Sequence, residues 1–270
     1  MIINLILIPN SRLNVIILEQ LKEEWFAYFS SEHYSDSPNF YSSECFDWAK
    51  AIEANSDEIA TEITRIINSE DFTPKGYFIK GLTEKSGWKT FSFITWGIRI
   101  NKALTLTPVF NNSLAQFPEI VSISINILEA GEKIKAHHGD SNTFYRCHLG
   151  IDIPEGLPKC GFRVNNQDAE WKNNQLLIFN DANKHEAWNL SDKKRVIVVF
   201  DVIRSEYKYK KKAICLKIRS FLILQLLFEQ YSFIKKMPKW IHKIINSTIF
   251  ILLFLLYPYQ KKHGVIKKHN

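Results

Sequence analysis

The heptapeptide AHHGDSN, Ala136 to Asn142, sets three possible metal ligands, His137, His138 and Asp140, within four residues. Imidazole nitrogens and carboxylate oxygens together suit iron, and mononuclear Fe(II) oxygenases hold their metal with two histidines and often one carboxylate on a single face. A second histidine for such a face stands far downstream, His185 in HEAWN, and Arg195 follows it by ten residues. Two registers compete for the first ligand. A literal HxD pair takes His138 and Asp140, whereas the other register takes His137 and puts Gly139 where the carboxylate would stand. Arg146 and His148 lie two apart, so on a strand both face one side. Taken singly, each histidine is as well explained by a bond to a backbone carbonyl. The chemistry rests on the joint spacing of two histidines with two arginines.

Elements able to hold these residues fill the centre of the chain. VSISINIL (Val121 to Leu128), RCHLGIDI (Arg146 to Ile153), GFRV (Gly161 to Val164), QLLIF (Gln175 to Phe179) and RVIVVFDV (Arg195 to Val202) read as short strands between Gly, Pro, Asn and Asp. Short strands at such spacing make a sandwich or barrel. Upstream, FDWAKAIEANSDEIATEITRIINSE sets Trp48, Ile52, Ile59, Ile63 and Ile66 at helical spacing, with Ser56 and Glu58 near a second helix start. Between Gly87 and Ile98, GWKTFSFITWGI shifts to β-branched and aromatic residues. No Gly-rich phosphate loop, GxSxG elbow or internal repeat occurs, which removes the usual supports for nucleotide binding and serine hydrolysis.

The 270 residues carry 35 Lys and Arg against 28 Asp and Glu, a formal net charge of +7. The excess is unevenly spread: from Ser205 onward stand 14 basic and two acidic residues, which leaves the front acidic. A basic patch over a folded domain would point to nucleic acid. A basic tail interleaved with apolar runs points instead to an anionic membrane surface, and no nucleic-acid partner is expected. The run IINSTIFILLFLLYPY, Ile244 to Tyr259, is uncharged over sixteen residues and is flanked by Lys239, Trp240 and Lys243 and by Tyr257, Tyr259, Lys261 and Lys262, a pattern of interface anchors. A full span takes about 20 residues, so an embedded helix is preferred to a crossing. FLILQLLF, Phe221 to Phe228, follows KKKAICLKIR and reads as a basic amphipathic surface helix. Four cysteines without CxxC spacing, and an N-terminus MIINLILIPN lacking the marks of a secretory signal, point to a reducing compartment. With the tail, this predicts the cytoplasmic side of a membrane.

From FPEI to FDVIR, Phe117 to Arg204, the sequence resembles the aspartyl/asparaginyl β-hydroxylase family of 2-oxoglutarate oxygenases. The family block reads roughly PHxGxxNxxxRxHLGL, CxxRV, W, FDD or FDN, HExWN and RVxxxxDxxRP. This chain has AHHGDSNTFYRCHLGI, CGFRV, Trp171, FNDANKHEAWN and RVIVVFDVIR, a block covering about a third of its length, with no gap between the first histidine and RxHLG. The resemblance implies a double-stranded β-helix, or jelly roll, with Fe(II) held by His137 and His185. Gly139 then falls at the carboxylate position, and water or another ligand completes the sphere. It implies that Arg195 pairs with the distal carboxylate of 2-oxoglutarate, a planar anion suited to a bidentate guanidinium. Arg146 and His148 would face the same pocket. Asn126 stands where the family can have a cosubstrate-contacting Ser, an amide in place of a hydroxyl. Asp140 competes for the metal only if a local bulge swings it inward. Asp181 is expected to support the strand before His185, and Trp188 and Asn189 to serve packing and turns.

The implied reaction uses O2 to convert 2-oxoglutarate to succinate and CO2 while inserting one oxygen into an unactivated C–H bond. An open position at Gly139 also admits a halide, but the alignment disfavours halogenation. Members of the family hydroxylate Asp or Asn in peptides, free amino acids, or the acyl chain of lipid A. The basic, apolar tail favours a membrane lipid acyl chain, and Gly139 favours the peptide or amino acid. A jelly roll that has lost catalysis and only binds is the non-enzyme alternative, opposed by the presence of His137, His185 and Arg195. The expected architecture is mainly β with N-terminal helices and a helical, hydrophobic C-terminal tail. A mostly helical region over 1–85 packs on the core, a jelly-roll oxygenase core spans 86–204, and a membrane-associating tail spans 205–270.

Overall fold

The computed structural model describes residues 23–28 and 38–264. The reading of the N-terminus MIINLILIPN, and much of the helical region expected over 1–85, lie outside the described residues.

After a two-residue strand, β1 (Phe40–Tyr41), helices α1 (Asp47–Ala54) and α2 (Ser56–Ile67) bury Trp48 and Ile52 on the first and Ile59, Ile63 and Ile66 on the second. This is the stripe that the helical spacing predicts. Beyond Ile67 the region up to residue 85 holds only β2 (Lys75–Gly76) and one 3-10 turn, so its helical character ends with α2. β3 (Trp88–Thr95) and β4 (Ile98–Arg99) follow, and then two helices inside the expected β core, α3 (Asn101–Thr105) and α4 (Pro108–Ala115). Pro108 opens α4, where a missing N–H does no harm. Glu62 of α2 caps α4 from outside, accepting from Val109 N and Phe110 N at 3.2 and 2.8 Å.

The remaining strands are β5 (Ile120–Leu128), β6 (Glu132–His137), β7 (Phe144–Asp152), β8 (Cys160–Val164), β9 (Gln167–Ala169), β10 (Leu176–Asn180), β11 (His185–Asn189) and β12 (Arg195–Ile203). All pairs are antiparallel. One sheet has eight strands, ordered β1-β10-β7-β12-β5-β3-β2 with β4 on β3, and the other has four, ordered β6-β11-β8-β9. The sheets close on one another through Leu128, Phe179 and Ile197 of the first and Ile134, Phe162, Val164 and Ala187 of the second. This is a jelly roll. The outer face of the large sheet is covered by helices: Ile52, Ile63 and Phe110 pack on Ile123, Ile125, Val198 and Phe200. The five strands read from sequence recur within two residues of their expected ends, whereas β6 and β11, which carry both histidines, are additional.

The C-terminal region is a hairpin of α5 (Lys211–Gln230), the short α6 (Ser232–Lys235) and α7 (Lys239–His263). Here two expectations are corrected. Residues 221–228 are not a surface helix, because Ile214, Ile218 and Phe221 join Phe26, Trp96, Val121, Phe144 and Ile203 in one core cluster, with Leu224 fully buried. The tail therefore does not begin as a separate unit at 205; the domain runs on through α5. On its other side α5 is covered by α7, with Arg219 Nη2 donating to Gln260 Oε1 at 2.8 Å and Phe228 packing on His242. A helix covered from two directions shows no clean amphipathic stripe.

Candidate functional site

Alternation along the large sheet decides what faces inward. In β12, Val196, Val198, Phe200 and Val202 meet the helices, while Arg195, Ile197, Val199 and Asp201 line a cavity between the sheets. In β7, Cys147 and Leu149 face out and Arg146 and His148 face in; in β5, Ile123, Ile125 and Ile127 oppose Ser122, Ser124 and Asn126. The cavity has a volume of about 490 Å³, and the small sheet closes it with Ile134, His137, Phe162, His185 and Ala187.

His137 ends β6, His185 begins β11, and the two are direct cross-strand partners with ring centroids 4.3 Å apart. Each ring bonds through Nδ1 to the carbonyl two residues before it, Lys135 O and Asn183 O, both at 2.8 Å. A carbonyl only accepts, so Nδ1 carries the proton and Nε2 of both rings keeps its lone pair. Burial holds the rings neutral: it brings His137 down to about 4 and His185 well below its ordinary value, with His137 adding to the second shift. Two neutral imidazoles side by side, each oriented by a carbonyl, can serve as nitrogen ligands to one metal ion. His138 is held apart from this pair, its Nδ1 on Ala182 O at 2.8 Å and its ring edge-on to Trp25. Among the described residues, no group of three or more His, Cys, Asp and Glu side chains is placed to hold a metal.

Gly139 lies against Asp181. A Cβ at position 139 would fall 1.8 Å from Asp181 Oδ2, so this carboxylate fills the volume that any side chain there would need. Asp181 is fully buried; Oδ2 accepts from Asp140 N at 2.8 Å, and its carbonyl accepts from Gly139 N at 2.8 Å. Its Oδ1 lies 3.8 Å from His185 Nε2 and 2.6 Å from Arg146 Nη1, a close ion pair in which Oδ1 receives no well-aligned N–H. Arg146 gives its other edge to Asp201, Nε to Oδ1 at 2.7 Å and Nη2 to Oδ2 at 3.2 Å, and Asp140 Oδ2 stands 3.9 Å from Nη2. Burial raises the carboxyls of both Asp140 and Asp181, partly opposed by Arg146. Arg146 thus lines the cavity as expected, but its charge is already matched by carboxylates of this chain.

Arg195 is differently placed. It is 1% exposed, its Nε lacks a hydrogen-bond partner, and among the described residues no acid forms an ion pair with it. Burial draws the guanidinium down to about 10. It lies over Trp171, 4.5 Å from Cζ to the ring centroid, and Trp171 Nε1 donates to His148 Nδ1 at 3.1 Å. That bond leaves the proton of a neutral His148 on Nε2. Burial, then Arg195 and Arg146, hold this ring well below its ordinary pKa. A buried cation without a counter-ion is destabilising, so the corner formed by Arg195 and His148 suits a carboxylate-bearing ligand.

Asn126 also faces the cavity, but both ends of its amide are taken: Oδ1 accepts from Trp88 Nε1 at 2.9 Å, and Nδ2 donates to Ser124 Oγ at 2.8 Å. It shapes the wall. Spacing does not single out Asp201, which meets Arg146 as a cross-strand partner 55 residues away, nor the clamp of Trp171 on His148. Tyr77, stacked on Trp88 with centroids 3.6 Å apart, and Leu222 and Gln225 of α5 also line the cavity. A signal for Gln225 does exist in the sequence, since it is the one polar residue in FLILQLLF.

A sequence model of the family described as aspartyl/asparaginyl beta-hydroxylase matches residues 53–205, more than half of the chain. Among curated relatives, an ornithine lipid ester-linked acyl 2-hydroxylase from Rhizobium tropici is 30% identical over 172 residues, 62% of this chain and 61% of that protein. The human aspartyl/asparaginyl beta-hydroxylase is 33% identical over 141 residues, 49% of this chain and 18% of that protein. The chain thus matches less than two thirds of the length of either relative. Among solved structures, the Cnp3 cupin domain of Schizosaccharomyces pombe aligns with a TM-score of 0.33 and 11% identity, over 52% of this chain and 75% of that one.

Proposed function

The chain belongs to the aspartyl/asparaginyl β-hydroxylase family, and from that premise we propose that it is an Fe(II)- and 2-oxoglutarate-dependent hydroxylase acting on an acyl chain of a membrane lipid. The observation that carries the reading is Arg195, a buried guanidinium with no counter-ion among the described residues, in the same cavity as two cross-strand histidines whose Nε2 atoms keep their lone pairs. His137 and His185 would hold the metal. Bound there, iron and 2-oxoglutarate supply the oxidising power that puts one atom of O2 into a substrate C–H bond. The protein's own contribution is positional. Arg195 pairs with the distal carboxylate of the cosubstrate and His148 donates from Nε2, with Trp171 holding both groups in place. Ile134, Phe162, Ile197 and Val199 line the cavity with apolar surface that keeps water out.

Three features support a lipid. The Rhizobium tropici relative is named for hydroxylating a lipid acyl chain. Three carboxylates surround Arg146, so the metal-side wall attracts no further acid, whereas an alkyl chain is indifferent to it. The third is α7, 25 residues long, whose most apolar 18 residues have a mean hydropathy of 1.6 and are only 11% buried. At about 1.5 Å per residue it is long enough to cross a bilayer, but it folds back along α5, and Asn101 Nδ2 of α3 donates to His263 O at its far end. With both ends tied to one body, α7 suits a place in the interface, presenting Trp240, Ile244, Ile251, Leu255 and Tyr259 outward and Lys239, Lys261 and Lys262, with Lys235 and Lys236 just before it, to anionic head groups. Four free cysteines fit the cytoplasmic face.

The second reading, β-hydroxylation of Asp or Asn in a peptide or of a free amino acid, draws on Gly139 and on the human relative. Mass spectrometry of lipids from cells expressing the intact protein or His185→Ala separates the two. A lipid heavier by one oxygen, present only with the intact protein, is expected. Unchanged lipids with a folded, iron-loaded protein would sink the lipid reading and turn the search to peptides and amino acids.

A further inference from the structure

Most polar groups in the cavity wall are accounted for: Asn126 by Trp88 and Ser124, Arg146 by its carboxylates, His148 by Trp171. Gln225 is not. Its side-chain Oε1 is buried and has no hydrogen-bond partner among the described residues, yet Gln225 lines the same cavity as His137 and His185. Leu222, three residues earlier, lines that cavity too, and Phe221 and Leu224 beside them are buried, Phe221 in the core cluster against which Leu222 also packs. The position is thus built into a fixed helix. A buried acceptor without a donor is destabilising, and an apolar side chain of the same shape would relieve that penalty. The amide is therefore explained by what enters the cavity rather than by the packing of the helix.

Its place in the fold bears on what that is. Leu222 and Gln225 are the two lining residues that lie beyond residue 204, on the helix against which α7 packs. A lipid drawn from the surface that α7 meets would pass this wall with its polar end still near the hairpin. Resting on the acyl-lipid reading above, we infer that Gln225 is a specificity-determining residue: its Oε1 accepts a hydrogen bond from an N–H or O–H that the lipid carries beside the acyl chain to be hydroxylated. This bond sets how far the chain reaches toward the histidine pair. It selects lipids whose linkage or head group bears a donor and disfavours those whose donor is blocked.

The test uses the full-length protein, loaded with Fe(II) and 2-oxoglutarate, on mixed vesicles of anionic phospholipid. Two matched lipid pairs are compared, an N-acyl lipid with a free amide N–H against its N-methyl form, and a hydroxyl-bearing acyl lipid against its O-methyl form. The wild type is expected to hydroxylate a donor-bearing lipid about tenfold or more faster than its methylated partner at limiting substrate, as one buried hydrogen bond allows. The pair that discriminates identifies the source of the donor. Gln225→Met, close in shape but without the acceptor, is expected to lose the preference through a higher KM for the donor lipid, and its ligand-free Tm should hold or rise. A preference retained by Gln225→Met, a wild type indifferent to methylation, or a Tm that falls in the variant would each overturn the inference. Absence of product from every lipid, with cosubstrate still bound, is the separate result that removes the acyl-lipid function itself.

Discussion

Arg195 carries a charge into a wall where no acid meets it among the described residues, so its removal has two consequences of opposite sign. Arg195→Met is expected to weaken 2-oxoglutarate binding by about tenfold or more, the equivalent of a charge-assisted bond of about 1.5–3 kcal/mol. It should leave the ligand-free protein as stable as before or more so. Calorimetric titration with 2-oxoglutarate and thermal melts check the two halves, and unchanged binding would take Arg195 out of the cosubstrate site. The histidine register is open to a direct test as well. Anaerobic addition of Fe(II) and 2-oxoglutarate should give a weak visible charge-transfer band that His137→Ala abolishes and Asp140→Ala spares; the opposite pattern would move the metal to His138 and Asp140. At this scale the sequence singled out His137, His185 and Arg195, and the structure brings all three to one cavity. The matching of Arg146 by Asp181 and Asp201 was not legible, since it depends on strand register across 55 residues and on a turn that brings Asp181 against Gly139.

Among the elements, β6 is anchored at its first residue. Glu132 is buried and accepts from the backbone N–H of Glu84, Lys85, Gly87 and Lys133 at 3.3, 3.1, 2.8 and 3.0 Å, tying the turn before β3 to the strand that ends in His137. Burial alone would raise its pKa, but the N–H donors outweigh it and hold the carboxyl below the ordinary 4.5. A folded pKa below the unfolded one gives stability that is complete above the unfolded value and is lost as pH falls through the folded one. Glu132→Gln is therefore expected to be about 1–3 kcal/mol less stable at neutral pH, with the gap narrowing below about pH 4.5. Urea denaturation at several pH values checks this, and a gap independent of pH would assign the loss to packing. Strand β6 also shows why the histidine strands escape sequence patterning. Lys133 and Lys135 point to solvent while Glu132 and Ile134 are buried, and His137, which shares the lysines' parity, reaches the cavity only past the register shift in the pairing of β6 with β11, so neither strict alternation nor an apolar face marks the strand. Strand β5 is legible for the converse reason: its outer face is a run of isoleucines and only its inner face is polar.

For the whole molecule, the decisive division is not at residue 205 but between α5 and α7. Cutting the chain after Arg204 uncovers Trp96, Val121, Phe144 and Ile203, apolar area comparable in worth to the roughly 5–15 kcal/mol that holds a domain together, and is expected to abolish the soluble fold. Cutting after Met237 removes α7 alone and is expected to leave a folded domain that no longer sediments with anionic vesicles. Circular dichroism and vesicle sedimentation read both outcomes; a shortened protein that still sediments would place membrane contact elsewhere. Composition could not locate this division, because α5 and α7 are both apolar and basic, and only their partners in space separate a helix inside the domain from one laid over it. The match to the family model ends at residue 205, yet the cavity wall continues to Leu222 and Gln225. The residues proposed to hold metal and cosubstrate thus lie within the matched segment, while one side of the cavity is built from a helix beyond it. Selectivity can then drift by exchanges on a helix that carries none of the reacting groups, and two relatives with the same chemistry need not share an appetite.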